Sequence, residues 1–247
     1  MPRKGSEGTS AIIASDFQFW RAPVPAVQDA ALPRPPRPRP HTLMLEAQNL
    51  AARRGFTNLF AGLTFRVDPG EALVVTGANG TGKTTLLRIL AGLSMPASGE
   101  IRWDGQPVAP FDPEFRGTLA FAGHLPALKD ELTAEENLAS LVALDGEPVA
   151  GEIVRDALGD VALARQRKLP ARVLSQGQRR RIGLARLTLL SRPLWILDEP
   201  TTALDVEGAL LLARILADHL ANQGMVVAAT HSSLGLPPAH VRPLALG

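Results

Sequence analysis

Nine consecutive residues have the composition of a loop that binds phosphate. They follow the pattern Gly, four residues, Gly-Lys-Thr, and are Gly77, Ala78, Asn79, Gly80, Thr81, Gly82, Lys83, Thr84 and Thr85. Glycines allow several backbone N–H groups to turn toward one anion. In such a loop Lys83 reaches the β- and γ-phosphates, Thr84 places its hydroxyl on Mg²⁺ and Thr85 bonds a phosphate oxygen. The alternative is a glycine-rich helix start that binds nothing.

The elements around this loop favour the nucleotide site. The apolar run at 72–75 predicts a buried strand before the loop, and residues 86–91 predict a helix after it. Strand, glycine loop and helix form the context that the motif requires, since the N-terminus of the helix adds positive potential at the phosphates.

Two acidic residues follow a second apolar run, at 194–197. Asp198 and Glu199 come at the point where a buried strand should end. Ligands of open α/β folds bind at that edge of the sheet, so Asp198 is expected to hold Mg²⁺, usually through water, together with Thr84. Glu199 is expected to face the water that attacks the γ-phosphate. A strand that ends in solvated acids is the alternative, and the phosphate loop argues against it.

A histidine ends a third apolar strand, at 225–230. His231 follows this strand, which we expect beside the one carrying Asp198. A helix cap or a packing residue is the alternative interpretation. The predicted neighbourhood favours contact with the γ-phosphate, so Lys83, Glu199 and His231 form the expected catalytic set.

Composition limits the function further. The 247 residues are 45% hydrophobic, with a net charge of +2 and no cysteine. Disulfides, thiol catalysis and zinc sites built on cysteine are therefore excluded. No apolar run approaches the roughly 18 residues that a membrane span needs. We expect a cytosolic chain whose membrane role, if any, comes through a partner.

Residues 1–42 differ from the rest of the chain. Residues 33–40 consist only of proline and arginine, a composition that excludes a helix or a central strand. We predict a disordered, Pro/Arg-rich extension. A basic anchor, a ligand for a proline-binding domain, or translation that begins at Met44 are the alternatives.

From residue 43 onward the pattern predicts an α/β fold. Strands are expected at 43–50 and 63–67 as an antiparallel edge, and further strands at 98–105, 118–121, 194–198, 225–230 and 241–246. Helices are expected at 134–143, 151–158, 176–190 and 206–222, with a capping box of Thr133 and Glu136 before the first of these. Fully apolar strands that alternate with helices predict a parallel sheet covered on both faces.

Residues 174–178, Leu-Ser-Gln-Gly-Gln, resemble the signature motif of ABC-type ATPases, whose usual form is Leu-Ser-Gly-Gly-Gln. The other motifs follow the order of that family. The resemblance implies a P-loop NTPase fold with a RecA-like core, an antiparallel β edge subdomain and an inserted helical subdomain at about 125–190. It also implies that residues 43–247 form one nucleotide-binding domain.

The same resemblance implies a homodimer that encloses two ATP molecules. Each site would combine one chain's phosphate loop with the other chain's signature residues, Ser175, Gly177 and Gln178. The resemblance adds Arg54 at the position that stacks on adenine, His124 where glutamine is common, and Asp205 in the loop that follows Glu199. The basic run 179–181 is expected to be a solvated helix face rather than a nucleic-acid site.

Three segments refine the resemblance. The region from Gly123-His124, the run Gly-Gln-x-Arg-Arg at 177–181 and the segment 194–205 closely resemble ATP-binding subunits of haem exporters in cytochrome c biogenesis. This implies an ATP- and Mg²⁺-dependent ATPase at the cytoplasmic face of the inner membrane. It implies integral membrane partners, release of a haem-loaded chaperone and no nucleic-acid partner. The alternatives are the ATPase of another ABC exporter, or an ABC ATPase that remodels DNA or ribosomes.

Overall fold

The computed structural model describes residues 43–124 and 126–247. The predicted disordered extension, residues 1–42, lies outside the described residues. In chain order the elements are β1 (Leu45–Arg54), β2 (Thr57–Val67), β3 (Ala72–Thr76), α1 (Lys83–Leu90), β4 (Ser98–Trp103), β5 (Gln106–Pro107), α2 (Pro113–Arg116), β6 (Leu119–Ala122), α3 (Ala134–Leu144), α4 (Gly151–Asp160), α5 (Gln176–Leu189), β7 (Leu194–Asp198), α6 (Val206–Ala221), β8 (Met225–Ala229) and β9 (Val241–Ala245).

One sheet is antiparallel, with the strand order β2-β1-β4-β5. Leu45 pairs with Val67 at one end of the β1–β2 hairpin, and Arg54 pairs with Thr57 at the other. The predicted antiparallel edge is confirmed, but both of its strands continue beyond the apolar positions that predicted them. In the continuation only Ala52 and Phe60 are buried, among mostly exposed positions, so the alternation was too weak to reveal it.

The second sheet is parallel, with the strand order β6-β7-β8-β3-β9. The carboxyl ends of β3, β7 and β8 therefore meet at one edge of the sheet. The phosphate loop follows β3, the pair Asp198 and Glu199 lies where β7 ends, and His231 follows β8. The predicted parallel sheet is confirmed, and it places the three expected catalytic segments at this edge.

Burial explains why these strands pair in the middle of the sheet. Every residue of β7 and β8 is buried, and so is Leu73 of β3. Helix α1 packs against this sheet through Leu86, Leu87 and other apolar side chains. Each fully buried side chain of this kind contributes about 1.5–3 kcal/mol, so the core holds the edge with the functional segments in a fixed arrangement.

Three helices, α3, α4 and α5, lie between β6 and β7 in the chain, where helices were predicted. The hydroxyl of Thr133 accepts a hydrogen bond from the Glu136 N–H, and the Glu136 carboxylate accepts one from the Thr133 N–H. The hydrogen bonds that the Glu136 carboxylate accepts from the Thr133 N–H and from the Thr133 hydroxyl lower the pKa of Glu136. The predicted capping box is thus confirmed, and it fixes the start of α3.

No helix among the described residues has the length and apolarity to cross a bilayer.

The expected solvated face at 179–181 is wrong for two of its three arginines. Arg180 and Arg181 are 8% and 7% exposed. Arg180 lies four residues before the buried Leu184 on α5, so helical geometry turns it inward. Three consecutive charged residues suggested side chains exposed to solvent. The 3.6-residue period of the helix instead decides which of the three side chains are buried.

Candidate functional site

The phosphate loop is held in shape by its own lysine and lies close to the backbone that follows β9. Lys83 is buried, and its Nζ donates hydrogen bonds to the carbonyl oxygens of Gly77 at 2.8 Å and Ala78 at 3.1 Å. Gly77 has a φ of 144°, and a Cβ there would lie 2.4 Å from the carbonyl oxygen of Leu246. Only glycine fits this position, because a side chain would collide with the backbone that follows β9.

Thr84 and Asp198 form the candidate magnesium site. The Thr84 hydroxyl donates a hydrogen bond of 2.9 Å to the Asp198 carboxylate. Oxygen atoms of this kind are the ligands that Mg²⁺ prefers, usually with water and phosphate completing an octahedron. In the described part of the chain no three His, Cys, Asp or Glu side chains cluster as a metal site. One hydroxyl beside one carboxylate fits an ion that takes one or two protein ligands and the rest from nucleotide and water.

Glu199 lies directly after β7 in an unusual backbone conformation. Its φ of 50° falls in the left-handed region, which a residue with a Cβ adopts at a cost. The Glu199 N–H donates to the Ala229 carbonyl oxygen at 2.8 Å. The carboxylate lies 3.7 Å from Nε2 of the exposed His231. The structure thus brings together the carboxylate and the imidazole that sequence reasoning assigned to catalysis.

One pocket contains most of the predicted nucleotide contacts. It is lined by Arg54, Asn79, Gly80, Gly82, Lys83, Thr84, Thr85, His124, Asp198 and Glu199. Arg54 projects from the end of β1 and His124 from the segment after β6, so three distant parts of the sequence meet here. We call this cavity the nucleotide pocket.

The signature residues lie in a different pocket. Ser175, Gly177, Gln178 and Asp205 line a cavity together with Arg181 and Ala203, and they do not line the nucleotide pocket. Ser175 caps α5, since its hydroxyl accepts a hydrogen bond from the Gln178 N–H while the Gln178 side chain accepts one from the Ser175 N–H. We call this cavity the signature pocket.

The signature pocket is formed where the start of α5 packs closely against the loop that follows β7. A Cβ on Gly177 would lie 2.9 Å from the Ala203 carbonyl oxygen, so glycine allows α5 to approach that loop. Asp205 caps α6 by accepting from the Gly208 N–H, and Arg181 donates to Asp205 at 2.9 Å and to Glu207 at 3.2 Å. The bonds from Gly208 and Arg181 lower the pKa of Asp205. Asp205 is therefore a carboxylate at neutral pH, with a fixed orientation.

An apolar cleft lies beside the nucleotide pocket. Its lining includes Phe121, Leu128, Leu141, Leu144, Leu184 and Leu197, together with Gly123 and Arg180. Leu144 is 84% exposed. We call this surface the apolar cleft. It joins the end of β6 to the helices α3 and α5, and sequence reasoning did not predict it because its residues are far apart in the chain.

Sequence reasoning also missed Arg180. Its guanidinium donates hydrogen bonds to the carbonyl oxygens of Gly123, His124, Asp198 and Glu199. Burial lowers the pKa of Arg180, and the nearby Asp198 and Glu199 carboxylates oppose that effect. The spacing to Leu184 and Leu187 on α5 is the signal that could have revealed its inward position.

Comparison with known proteins agrees with this geometry. Residues 60–202 match the family model described as ABC transporter. A protein of Nitrosomonas europaea named cytochrome c biogenesis ATP-binding export protein CcmA is 49% identical over 82% of this chain and 95% of its own length. A protein of the same name from Pseudomonas aeruginosa is 51% identical over 78% of this chain and 95% of its own length.

A solved structure supports the same assignment. The ATP-binding subunit of an ABC transporter superposes on this chain with a TM-score of 0.67 at 28% identity, over 76% of this chain and 80% of the other. The expected P-loop fold, with its antiparallel edge and inserted helices, is therefore confirmed. The chain belongs to the ABC transporter family and, within it, to the cytochrome c biogenesis ATP-binding export proteins.

Proposed function

We propose that this chain is the ATP-hydrolysing subunit of a haem exporter complex in cytochrome c biogenesis. It acts at the cytoplasmic face of the inner membrane, bound to integral membrane subunits. The cycle of ATP binding and hydrolysis drives those subunits and the release of a haem-loaded chaperone. The printed names of the relatives support the export role in cytochrome c biogenesis, and haem as cargo follows from the resemblance of the motifs around His124 and Asp205.

The separation of the two pockets carries the proposal. Lys83 and Ser175 line different cavities of the same chain, so a single copy offers two unlike halves of a nucleotide site. Two copies arranged head to tail bring the nucleotide pocket of each against the signature pocket of the other. ATP then stabilises the dimer by binding both halves, and loss of the γ-phosphate weakens it.

Each residue of the site has a defined task in this proposal. Lys83 exchanges its bonds to loop carbonyl oxygens for the β- and γ-phosphates, while Thr84 and Asp198 hold Mg²⁺, which neutralises phosphate charge. Glu199 accepts a hydrogen bond from the attacking water and orients it, and His231 contacts the γ-phosphate from the neighbouring strand end. Phosphoryl transfer of this kind depends on positioning and charge more than on covalent help from the protein.

The N-terminus of α5 supplies the second half of the site. Ser175 offers a hydroxyl, Gly177 a backbone N–H, and the 14-residue helix its positive end to the γ-phosphate held by the other chain. Asp205, fixed by Arg181, lies beside these groups on the dimer face. Arg54 stacks on the purine through its planar guanidinium, where many nucleotide sites use an aromatic ring.

The apolar cleft is the proposed docking place of a membrane subunit. We assign to it a short cytoplasmic segment of an integral partner, because Gly123 lines the cleft and the adjacent His124 lines the nucleotide pocket. A partner segment bound in the cleft contacts Gly123, and ATP bound in the nucleotide pocket lies beside the adjacent His124. The exposed Leu144 gives the segment an apolar contact.

Complementation tests the function. The full chain is expressed in a Pseudomonas aeruginosa strain lacking its cytochrome c biogenesis ATP-binding export protein, and covalent haem in cytochromes c is measured by haem staining. We expect the wild-type chain to restore staining and Lys83→Ala to fail. Membranes in which the chain hydrolyses ATP without restoring cytochromes c would instead indicate another exporter.

A substitution in the cleft tests the partner. Leu144→Glu should reduce recovery of the chain with detergent-solubilised integral subunits by at least about tenfold, because it buries a charge against an apolar surface. Ile153→Glu is the matched control, since Ile153 is also an exposed apolar residue but does not line the cleft. Equal recovery of both variants would show that the membrane subunits bind elsewhere.

A further inference from the structure

Arg180 connects three parts of the protein through one buried side chain. One guanidinium nitrogen donates to the carbonyl oxygens of Gly123 at 3.1 Å and His124 at 3.0 Å. The other donates to Asp198 at 3.3 Å and to Glu199. All four acceptors are backbone atoms, and Arg180 itself belongs to α5, the helix that begins at the signature residues.

The bond to Glu199 completes the fixation of a strained residue. The Glu199 N–H donates to the carbonyl oxygen of Ala229 in β8, and the Glu199 carbonyl oxygen accepts from Arg180 and, at 3.2 Å, from the Thr202 N–H. Glu199 needs such support because its φ of 50° is unfavourable for a residue with a Cβ. Among the described residues, Arg180 is the one side chain that bonds this carbonyl oxygen, beside the local Thr202 N–H, so the direction of the Glu199 carboxylate depends in part on where Arg180 lies.

The other two acceptors belong to the segment shared by the cleft and the nucleotide pocket. Gly123 lines the apolar cleft, as Arg180 does, and His124 lines the nucleotide pocket. Any shift of this segment moves two carbonyl oxygens bonded to the guanidinium that also bonds Glu199. The guanidinium keeps its charge in spite of burial, so losing these acceptors is costly and the groups tend to move together.

We propose that Arg180 is a positioning residue for ATP hydrolysis. It orients Glu199 through the backbone and ties that residue to the Gly123–His124 segment. This inference rests on the proposed function, because it concerns the same hydrolysis step. Arg180 touches neither nucleotide nor attacking water in this assignment, and its effect passes entirely through Glu199.

Substitution of Arg180 by lysine is the primary test, with the full chain bound to its membrane subunits. Lysine keeps the charge but cannot reach both pairs of carbonyl oxygens as a planar fork does. We expect kcat to fall at least about threefold for Arg180→Lys and tenfold for Arg180→Gln, since small displacements of a positioned group have effects of this order. The KM for ATP should stay within about twofold, because the phosphate contacts are intact.

Arg179→Gln is the matched control on the same helix. Arg179 donates to Asp130 and to the Ala171 carbonyl oxygen, and the structure gives it no bond to β7 or to the Gly123–His124 segment. Its kcat should remain within about twofold of wild type. If Arg180→Gln fails to fold, Arg180→Lys still decides the matter. A wild-type kcat in Arg180→Lys, or an equal fall in kcat and ATP affinity, would overturn the inference.

A double variant distinguishes action through Glu199 from a general structural effect. In Glu199→Asp the carboxylate is already displaced by one methylene, so adding Arg180→Lys should lower kcat by less than about twofold more. The proposal is contradicted if the fall in kcat of the double variant equals the product of the falls measured for the two single variants. Wild-type membranes without any ATP turnover would refute the proposed function itself, whereas turnover that is indifferent to Arg180 would refute this inference alone.

Discussion

The Thr84 hydroxyl and the Asp198 carboxylate lie 2.9 Å apart, although 114 positions separate them in the chain. The contact joins the first turn of α1 to the end of β7. It forms because β3 and β7 are parallel strands of one sheet, so their carboxyl ends meet at one edge. This arrangement supports the proposal that the hydroxyl and the carboxylate are two ligands of Mg²⁺.

Loss of the Thr84 hydroxyl should weaken magnesium binding. For Thr84→Ala we expect the Mg²⁺ concentration at half-maximal ATP hydrolysis to rise at least about tenfold, because one of the few protein ligands is removed. Thr84→Ser keeps the hydroxyl and should stay within about threefold of wild type. A Mg²⁺ titration of ATPase activity at saturating ATP measures both, and identical curves for all three proteins would rule out Thr84 as a ligand.

Removal of the Glu199 charge should separate binding from turnover. Glu199→Gln preserves the shape of the side chain but can no longer accept a proton, so turnover should fall at least about 100-fold. ATP affinity should persist, since Lys83 and the loop N–H groups are unchanged, and the ATP-bound dimer should accumulate. Size-exclusion chromatography with ATP detects that dimer. Glu152→Gln, on the exposed part of α4, is the control. Steady-state hydrolysis at the wild-type rate in Glu199→Gln would show that Glu199 does not orient the attacking water.

A methyl group on Gly177 should damage the signature pocket and leave the nucleotide pocket intact. The added Cβ would lie 2.9 Å from the Ala203 carbonyl oxygen, so α5 and the loop after β7 must move apart. We expect turnover of Gly177→Ala to fall roughly tenfold, since displaced signature groups meet the γ-phosphate poorly. Binding of fluorescent ATP to the monomer should be unchanged.

Gly159→Ala is the matched control for this substitution. A Cβ on Gly159 of α4 meets no atom within 4 Å, and alanine is the better helix former by roughly 0.5–1 kcal/mol. Its turnover should equal wild type, with stability equal or slightly higher. Equal activity of both alanine variants would mean that contact between Gly177 and Ala203 has no part in the site.

Sequence patterns predicted the buried strands better than the charged surface. β8 is an unbroken apolar run, and so is β7 up to its last residue, Asp198; such runs have one plausible place, the middle of a covered parallel sheet. Arg180 was misassigned because its type suggested solvent, whereas its four acceptors are carbonyl oxygens that carry no sequence signal. The motif residues were found individually. The resemblance already implied that the phosphate loop and the signature residues belong to different halves of a site, and the packing of α5 against the loop at Ala203 gives the second half its shape.

His219 should make the free energy of unfolding decrease when the pH becomes mildly acidic. Its ring stacks on Trp195 with centroids 3.7 Å apart, and Nε2 lies 3.3 Å from the Met225 carbonyl oxygen. Burial lowers the pKa of His219 to about 4 from an ordinary value of 6.5, with partial opposition from its backbone hydrogen bonds. Between those values the unfolded chain binds a proton that the folded chain excludes, so stability falls as pH decreases from 6.5 toward 4.

Urea unfolding at pH 7 and pH 5 measures this dependence. His219 should account for a loss of about 2 kcal/mol in the free energy of unfolding between the two values, as an upper bound for a group that retains some solvent contact. His219→Phe keeps the stack on Trp195 but cannot titrate, so it should lose correspondingly less on acidification even if it is less stable at pH 7. If both proteins lose the same amount, His219 is not the group responsible, because the remaining titratable side chains are common to both.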